Sequence, residues 1–237
     1  MSKANRKFFV AGTDTEIGKT FISTALIRAF ANRKLSVVGL KPIASGAEPV
    51  QGVLKNDDAL QLQQASNMSF SYNEINPLCF EPAIAPHIAA DLAGQALDVE
   101  ELANRVVMPD NADVILVEGA GGWLTPLNQK ETYADWVEQE QLDVILVVGM
   151  KLGCLNHAML SVRDIERRGL KVSGWVANFA QGKMNMAEDN VKWLKQNITA
   201  PCLGIVPFQD STEAKGQDAE MQLANSVAEL LDTSVLL

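Results

Sequence analysis

Gly12-Thr13-Asp14-Thr15-Glu16-Ile17-Gly18-Lys19-Thr20 is the stretch of this 237-residue chain whose residue types and spacing point most directly to chemistry. An apolar run leads into it and an amphipathic run follows, so the segment has the form of a Walker A loop between a strand and a helix. Successive backbone N–H groups in such a loop form a nest for phosphate oxygens, and the helix start adds positive potential. Gly18 lets the backbone come close, the Lys19 ammonium neutralises the β- and γ-phosphates, and the Thr20 hydroxyl ligates Mg²⁺. The expected ligand is therefore Mg·ATP. Five residues separate Gly12 from Gly18 where four are usual, so Thr13 stands at the ordinary first-glycine position.

Other residues could work on the same ligand. Glu118 closes an apolar run and precedes Gly119-Ala120-Gly121-Gly122. An acidic residue ending a buried strand beside a phosphate loop completes Mg²⁺ binding, and the glycines allow a ligand close to the backbone. Lys41 ends another apolar run just before Pro42, at the carboxyl edge where ligands bind in open α/β sheets. Ser45 follows it beside Gly46 and could donate a hydrogen bond. Asp57 and Asp58 open an expected helix; the sequence alone does not separate a dipole-stabilising role from metal binding. Lys151 through His157 follow a strand and start a helix, whose free N–H groups could hold a carboxylate or simply make a turn. His87 reads as a structural histidine rather than a base.

Positioning these groups requires a sheet. Strands are expected at Phe8–Gly12, Ser36–Pro42, Asp113–Glu118, Asp143–Gly149, Val172–Asn178 and Pro201–Pro207. The third and fourth are apolar without alternation, as in strands covered on both faces. Helices are expected over Lys19–Arg33 and over 57–66, 98–107, 132–141, 154–168, 184–197 and 217–231. This is an α/β pattern: a mostly parallel P-loop NTPase-type sheet with helices on both faces, in a single domain over residues 1–237. Residues 43–97 are rich in Gly, Pro, Asn and Ser and are expected to carry binding loops.

The composition narrows the class. Twenty basic against 29 acidic residues give a net charge of −9, which argues against nucleic acid or an anionic membrane as partner. Three scattered cysteines and two histidines suggest a reducing compartment and no zinc site. No run approaches the length of a membrane span and no signal-peptide pattern opens the chain, so a cytoplasmic protein is expected.

Several motifs together resemble the dethiobiotin synthetase family. They are the 12–20 loop, Gly39-Leu40-Lys41-Pro42-Ile43-Ala44-Ser45-Gly46, Asn56-Asp57-Asp58-Ala59-Leu60, Ala85-Pro86-His87-Ile88-Ala89-Ala90, Val117 through Gly122, Val148 through His157, and Gly174 through Asn178. The widened loop is this family's own form, and the likeness runs from about residue 8 to about residue 209, more loosely beyond. The resemblance implies ATP-dependent closure of 7,8-diaminopelargonic acid with CO₂ to dethiobiotin, through a carbamate and a carbamic–phosphoric anhydride. It implies Lys19 and Lys41 on phosphate and carbamate, and Thr20, Asp58 and Glu118 on Mg²⁺. It places the nucleotide on Glu16, Ile17, Gly18, Lys19, Thr20 and Phe21, on Glu118, Gly119, Ala120 and Gly121, on Asn178 at the adenine edge, on Phe179, on Pro207, Phe208 and Gln209 near the base, and on Glu213 at the ribose. Thr15, Ser45, Gly121 and Gly122 would contact substrate. The family is a homodimer whose substrate carboxylate reaches Gly153, Cys154, Leu155 and Asn156 of the other subunit.

Two other classes share the expected fold. Partitioning and septum-positioning ATPases carry a signature lysine five residues before the loop lysine; that position here is Asp14, and no basic amphipathic C-terminal helix is present for membrane docking. Cobyrinate-type amidotransferases carry a glutaminase domain, for which the chain has no room.

Overall fold

In the computed structural model, which describes residues 5–209 and 217–237, the elements run in order as β1 (Arg6–Gly12), α1 (Lys19–Asn32), β2 (Val37–Leu40), β3 (Ile43–Ala44), β4 (Glu48–Val50), β5 (Val53–Lys55), α2 (Asp57–Ala65), α3 (Tyr72–Ile75), β6 (Leu78–Cys79) and α4 (Pro86–Ala93). The second half continues with α5 (Val99–Arg105), β7 (Val114–Gly122), α6 (Tyr133–Gln139), β8 (Asp143–Gly149), α7 (Cys154–Arg167), β9 (Val172–Asn178), α8 (Ala187–Asn197), β10 (Cys202–Val206) and α9 (Gln217–Ala228). Six strands form one parallel sheet in the order β10-β9-β8-β1-β7-β2.

Alternate residues of the central strands feed two separate apolar layers. Phe8 and Val10 of β1 pack with Ile22, Leu26 and Phe30 of α1 and with Val227 of α9. Phe9 and Ala11 point the other way, into a layer with Tyr133 and Trp136 of α6, Ile165 of α7 and Leu194 of α8. The period-two reversal of side chains is why the middle strands must be apolar at every position. Helices therefore cover both faces, as the pattern of runs predicts.

The long stretch predicted as binding loops is more ordered than its composition suggests. Asn56 caps α2 by accepting from the Ala59 N–H, Ser71 and Glu74 form a capping box on α3, and Pro86 opens α4, which ends at left-handed Gly94. These stop and start signals make short elements out of a Gly- and Pro-rich sequence. Two strand ends also differ from expectation. β2 stops at Leu40, and the Lys41 N–H leaves the sheet to bond the Ile75 carbonyl at 2.8 Å. β7 does not stop at Glu118; it continues through the glycines to pair Gly12 with Gly122 after a register shift. A Cβ at Gly119 would lie 2.6 Å from Phe9 Cζ, so the residue type permits the close pass.

One ionic cluster fastens the helical layer behind that strand. Asp164 on α7 accepts from Trp123 Nε1 (2.9 Å), Arg167 Nη2 (2.8 Å) and Arg168 Nε (2.8 Å), and Arg168 also reaches Asp135 and Glu138 at 2.7 Å. Burial pushes the Asp164 carboxyl up, but those hydrogen bonds outweigh it and hold the pKa at about 2. A depressed carboxylate pKa contributes stability that is complete above the unfolded value and lost as pH falls through the folded one. Asp164→Asn should therefore cost about 1–2 kcal/mol at neutral pH, and the gap to the parent should close between about pH 4 and about pH 2. Urea unfolding across that range tests it; a gap independent of pH would remove the charge from the explanation.

Candidate active site

The 12–20 loop is held on three sides. Its leading edge is bonded to β8: the Thr13 N–H donates to the Val147 carbonyl (3.0 Å) and the Gly149 N–H donates to Thr13 Oγ1 (3.1 Å). Beneath it, buried Ile17 rests on Gly149, where a Cβ would come within 2.3 Å of Ile17 Cγ2. From β9, Asn178 Nδ2 donates to the Ile17 carbonyl at 2.7 Å. Gly18 then takes φ +73° as the residue before α1, the left-handed conformation that glycine adopts freely, and Glu16 takes φ +56°. The loop thus enters α1 with the helix's first N–H groups free of side-chain caps.

The charged side chains converge from four elements. Lys19, at the start of α1, donates to the Gly121 carbonyl at 3.0 Å. Thr20 Oγ1 donates to Glu118 Oε1 at 2.8 Å, and Lys41 Nζ donates to the same oxygen at 2.6 Å. Lys41 also meets Asp58 Oδ2 at 3.0 Å and the Gly119 carbonyl at 3.2 Å. Lys41 and Glu118 are 4% and 1% exposed, so their charges depend on each other. Burial alone would depress the Lys41 pKa, but Glu118 and Asp58 outweigh it and raise it, so Lys41 is an ammonium. Lys19 has no such partner: burial, then the charge of Lys41, lower it to about 8. An incoming polyanion would raise it again.

Thr20, Asp58 and Glu118 are also the three residues expected to hold Mg²⁺, and they fit a cation. Glu118 Oε2 is buried and has no hydrogen-bond partner, an acceptor aimed where a cation would satisfy it. Hard oxygen donors, two of them anionic, suit Mg²⁺.

A cavity of about 970 Å³ runs over these groups. Thr15, Glu16, Gly18, Lys19, Thr20 and Phe21 line it with Lys41, Ser45, Asp58, Ala120 and Gly121; Asn178, Pro207 and Gln209 line its far end. Ser45 Oγ is buried without a partner, a second unsatisfied polar atom facing this region. The other expected contacts lie elsewhere. Ile17 is under the loop, and Glu118 and Gly119 form the floor through their bonds to Lys41. Gly122 pairs with Gly12. Phe179 packs on the core, and Phe208 is half exposed. Gly153, Cys154, Leu155 and Asn156 begin α7 outside the cavity lining, with Gly153 at φ +95°. Glu213 lies outside the described residues. The lining also includes Ala85 and Pro86 of the 85–90 motif, to which no role was assigned, and residues that the motifs did not single out: Ala83 and Ile84 on the same wall, Thr125 and Pro126 beyond the glycines, and Leu223 from α9. Thr125 could have been suspected from its place after the glycine run; nothing in the sequence marks Leu223.

A family profile described as an AAA domain (AAA_26) matches residues 6–215. Proteins named ATP-dependent dethiobiotin synthetase BioD match almost end to end: the one from Cellvibrio japonicus is 46% identical over 94% of this chain and 97% of its own length. The one from Marinobacter nauticus is 41% identical over 97% and 99%, and that of Pseudomonas aeruginosa is 47% identical over 87% and 92%. The chain belongs to the dethiobiotin synthetase family. The fold extends more widely: a ParA family ATPase from Chlorobium tepidum superposes with a TM-score of 0.56 at 15% identity, covering 98% of this chain and 95% of that one. In this chain Asp14, at the position where the partitioning ATPases carry their signature lysine, accepts from Lys151 Nζ at 2.7 Å.

Proposed function

We propose that this chain is a single-domain, Mg²⁺-dependent dethiobiotin synthetase that joins 7,8-diaminopelargonic acid and CO₂ at the expense of ATP. The observation that carries this reading is the placement of Lys41. A second buried ammonium, on a different element from the loop lysine, stands over the floor of the same cavity. A simple nucleotide switch has no use for it; a reaction that makes an anionic carbamate beside a triphosphate does.

One amine of the diamine adds to CO₂, giving a carbamate and releasing a proton. A carbamate oxygen attacks the γ-phosphorus and ADP leaves. The second amine then attacks the carbamoyl carbon, the carbon–oxygen bond to phosphate breaks, and the cyclic urea forms. The last step gains the advantage of an intramolecular reaction because both amines belong to one bound molecule. Lys19 neutralises the β- and γ-phosphates. Lys41 stabilises the carbamate and the transferred phosphoryl group. Thr15 and the partnerless Ser45 hydroxyl orient the diamine, with Gly121 and Gly122 beside it. Asn178, Phe179, Pro207, Phe208, Gln209 and Glu213 contribute to the nucleoside end. Thr20, Asp58 and Glu118 would hold Mg²⁺, which when bound supplies charge neutralisation between the phosphates.

The homodimer belongs to the same reading: Gly153 through Asn156 would hold the substrate carboxylate of the other subunit, and the neighbouring Leu152 is 96% exposed. No helix among the described residues is long and apolar enough to cross a membrane, in keeping with a cytoplasmic enzyme.

The deciding experiment supplies ATP, Mg²⁺, labelled bicarbonate and diaminopelargonate and looks for acid-stable label. ATP hydrolysis without label, stimulated by a protein or lipid, would favour a switch instead. Within this assay Glu118→Gln should raise the Mg²⁺ concentration for half-maximal rate at least about tenfold, since a ligand charge is lost. An unchanged Mg²⁺ titration would take Glu118 out of the metal site.

A further inference from the structure

We propose that the Asp14–Lys151 ion pair is a positioning clasp that sets the start of α7 against the phosphate loop and so places the turn that would receive the other subunit's substrate carboxylate. The inference rests on the proposed reaction.

Asp14 joins two directions. Its Oδ1 accepts from the Thr15 N–H at 2.8 Å, and its Oδ2 accepts from Lys151 Nζ at 2.7 Å. Lys151 is tied at its other end: its carbonyl accepts from the Cys154 N–H at 3.0 Å, in the first turn of α7. One continuous chain of bonds therefore runs from Thr15, a diamine contact, through Asp14 and Lys151, to the turn that would take a carboxylate. Cys154 anchors that turn in the core, but its neighbours are open to solvent. Gly153 is in the left-handed region with open space around it, and Leu152 and Asn156 are exposed.

The pair itself is poorly suited to stabilising the fold. The Asp14 and Lys151 side chains are 41% and 31% exposed, and exposed pairs contribute little to folding. The lysine holds Asp14 below the usual carboxylate range, as a formed ion pair requires. Neither residue lines the cavity. Their effect should then appear in how substrate is seated and not in phosphate transfer. Since Gly153 through Asn156 would serve the other subunit, each clasp couples one subunit's phosphate loop to its neighbour's substrate.

The test is steady-state kinetics of the full-length protein. Lys151→Met should raise KM for diaminopelargonate about tenfold and leave kcat and the KM for ATP within about twofold, because misplacing a binding group weakens seating before it weakens chemistry. Its melting temperature should stay within about 2 °C of the parent. Asp14→Asn keeps an acceptor for the Thr15 N–H and should shift KM in the same direction. The double variant should be no worse than the worse single variant, and Lys151→Arg should restore most of the affinity. Additive single effects, an unchanged KM for diaminopelargonate, or a loss confined to ATP would overturn the clasp while leaving the reaction intact. A parent chain that fixes no label from bicarbonate overturns the proposed reaction, and the clasp with it.

Discussion

Lys41→Ala is expected to lower label incorporation by at least about 10³-fold, the scale on which a buried group stabilising transition-state charge acts. ATP binding should survive, because the loop and Lys19 are untouched. The same variant has a physical side effect that can be measured separately. It strips Glu118 of its ammonium and leaves a carboxylate that is 1% exposed with Thr20 as its remaining donor on Oε1. Removing one member of a buried ion pair costs about 3–5 kcal/mol. The variant should therefore melt lower than the parent, and Mg²⁺ should raise its melting temperature more than it raises the parent's. Lys41→Met, which keeps the stem, separates the two effects: packing recovers and turnover does not. Near-normal turnover in either variant would end the assignment of Lys41.

Gly149→Ala is expected to be nearly as damaging from beneath the loop. A Cβ there would lie 2.3 Å from Ile17 Cγ2 and 2.7 Å from Ile17 Cβ, at the end of a buried strand that cannot retreat. Ile17 must rise and carry the loop with it, away from the Asn178 amide that holds its carbonyl. Small displacements of a positioned group cost about 10²-fold in rate, and turnover should fall by that order. Nucleotide affinity should fall with it. Ile17→Ala in the same chain removes the nearest methyl and should recover part of the loss; no recovery would mean the damage spreads from β8 itself.

Gly149 also shows what could be read from residue order and what could not. Its place at the end of an apolar run marked a strand terminus, but its need to be glycine comes from Ile17, 132 positions earlier, and no local pattern contains that contact. The strands were legible because the central stretches of β1, β7 and β8, Phe8–Ala11, Val114–Val117 and Val144–Val148, are covered on both faces and stay apolar. The loop was legible because phosphate binding constrains type and spacing together. Lys19, Lys41, Asp58 and Glu118 come from four separate segments, and their convergence follows from the parallel order of β1, β7 and β2, which places all the carboxyl ends on one edge. The end of β7 was not legible, since glycines that usually interrupt a strand here extend it past Phe9. The lining residues Ala83, Ile84 and Leu223 are small or apolar, and such residues carry no signature of a binding role.

The phosphate loop is pinned at Thr13, propped at Ile17 and tied by Asn178, all through bonds and contacts of the protein's own. A cradle already in shape gives up little motional freedom when its guest arrives, so ordering the loop is charged to folding and not to association. Affinity for the triphosphate is then left to charge, and it should weaken steeply as ionic strength rises.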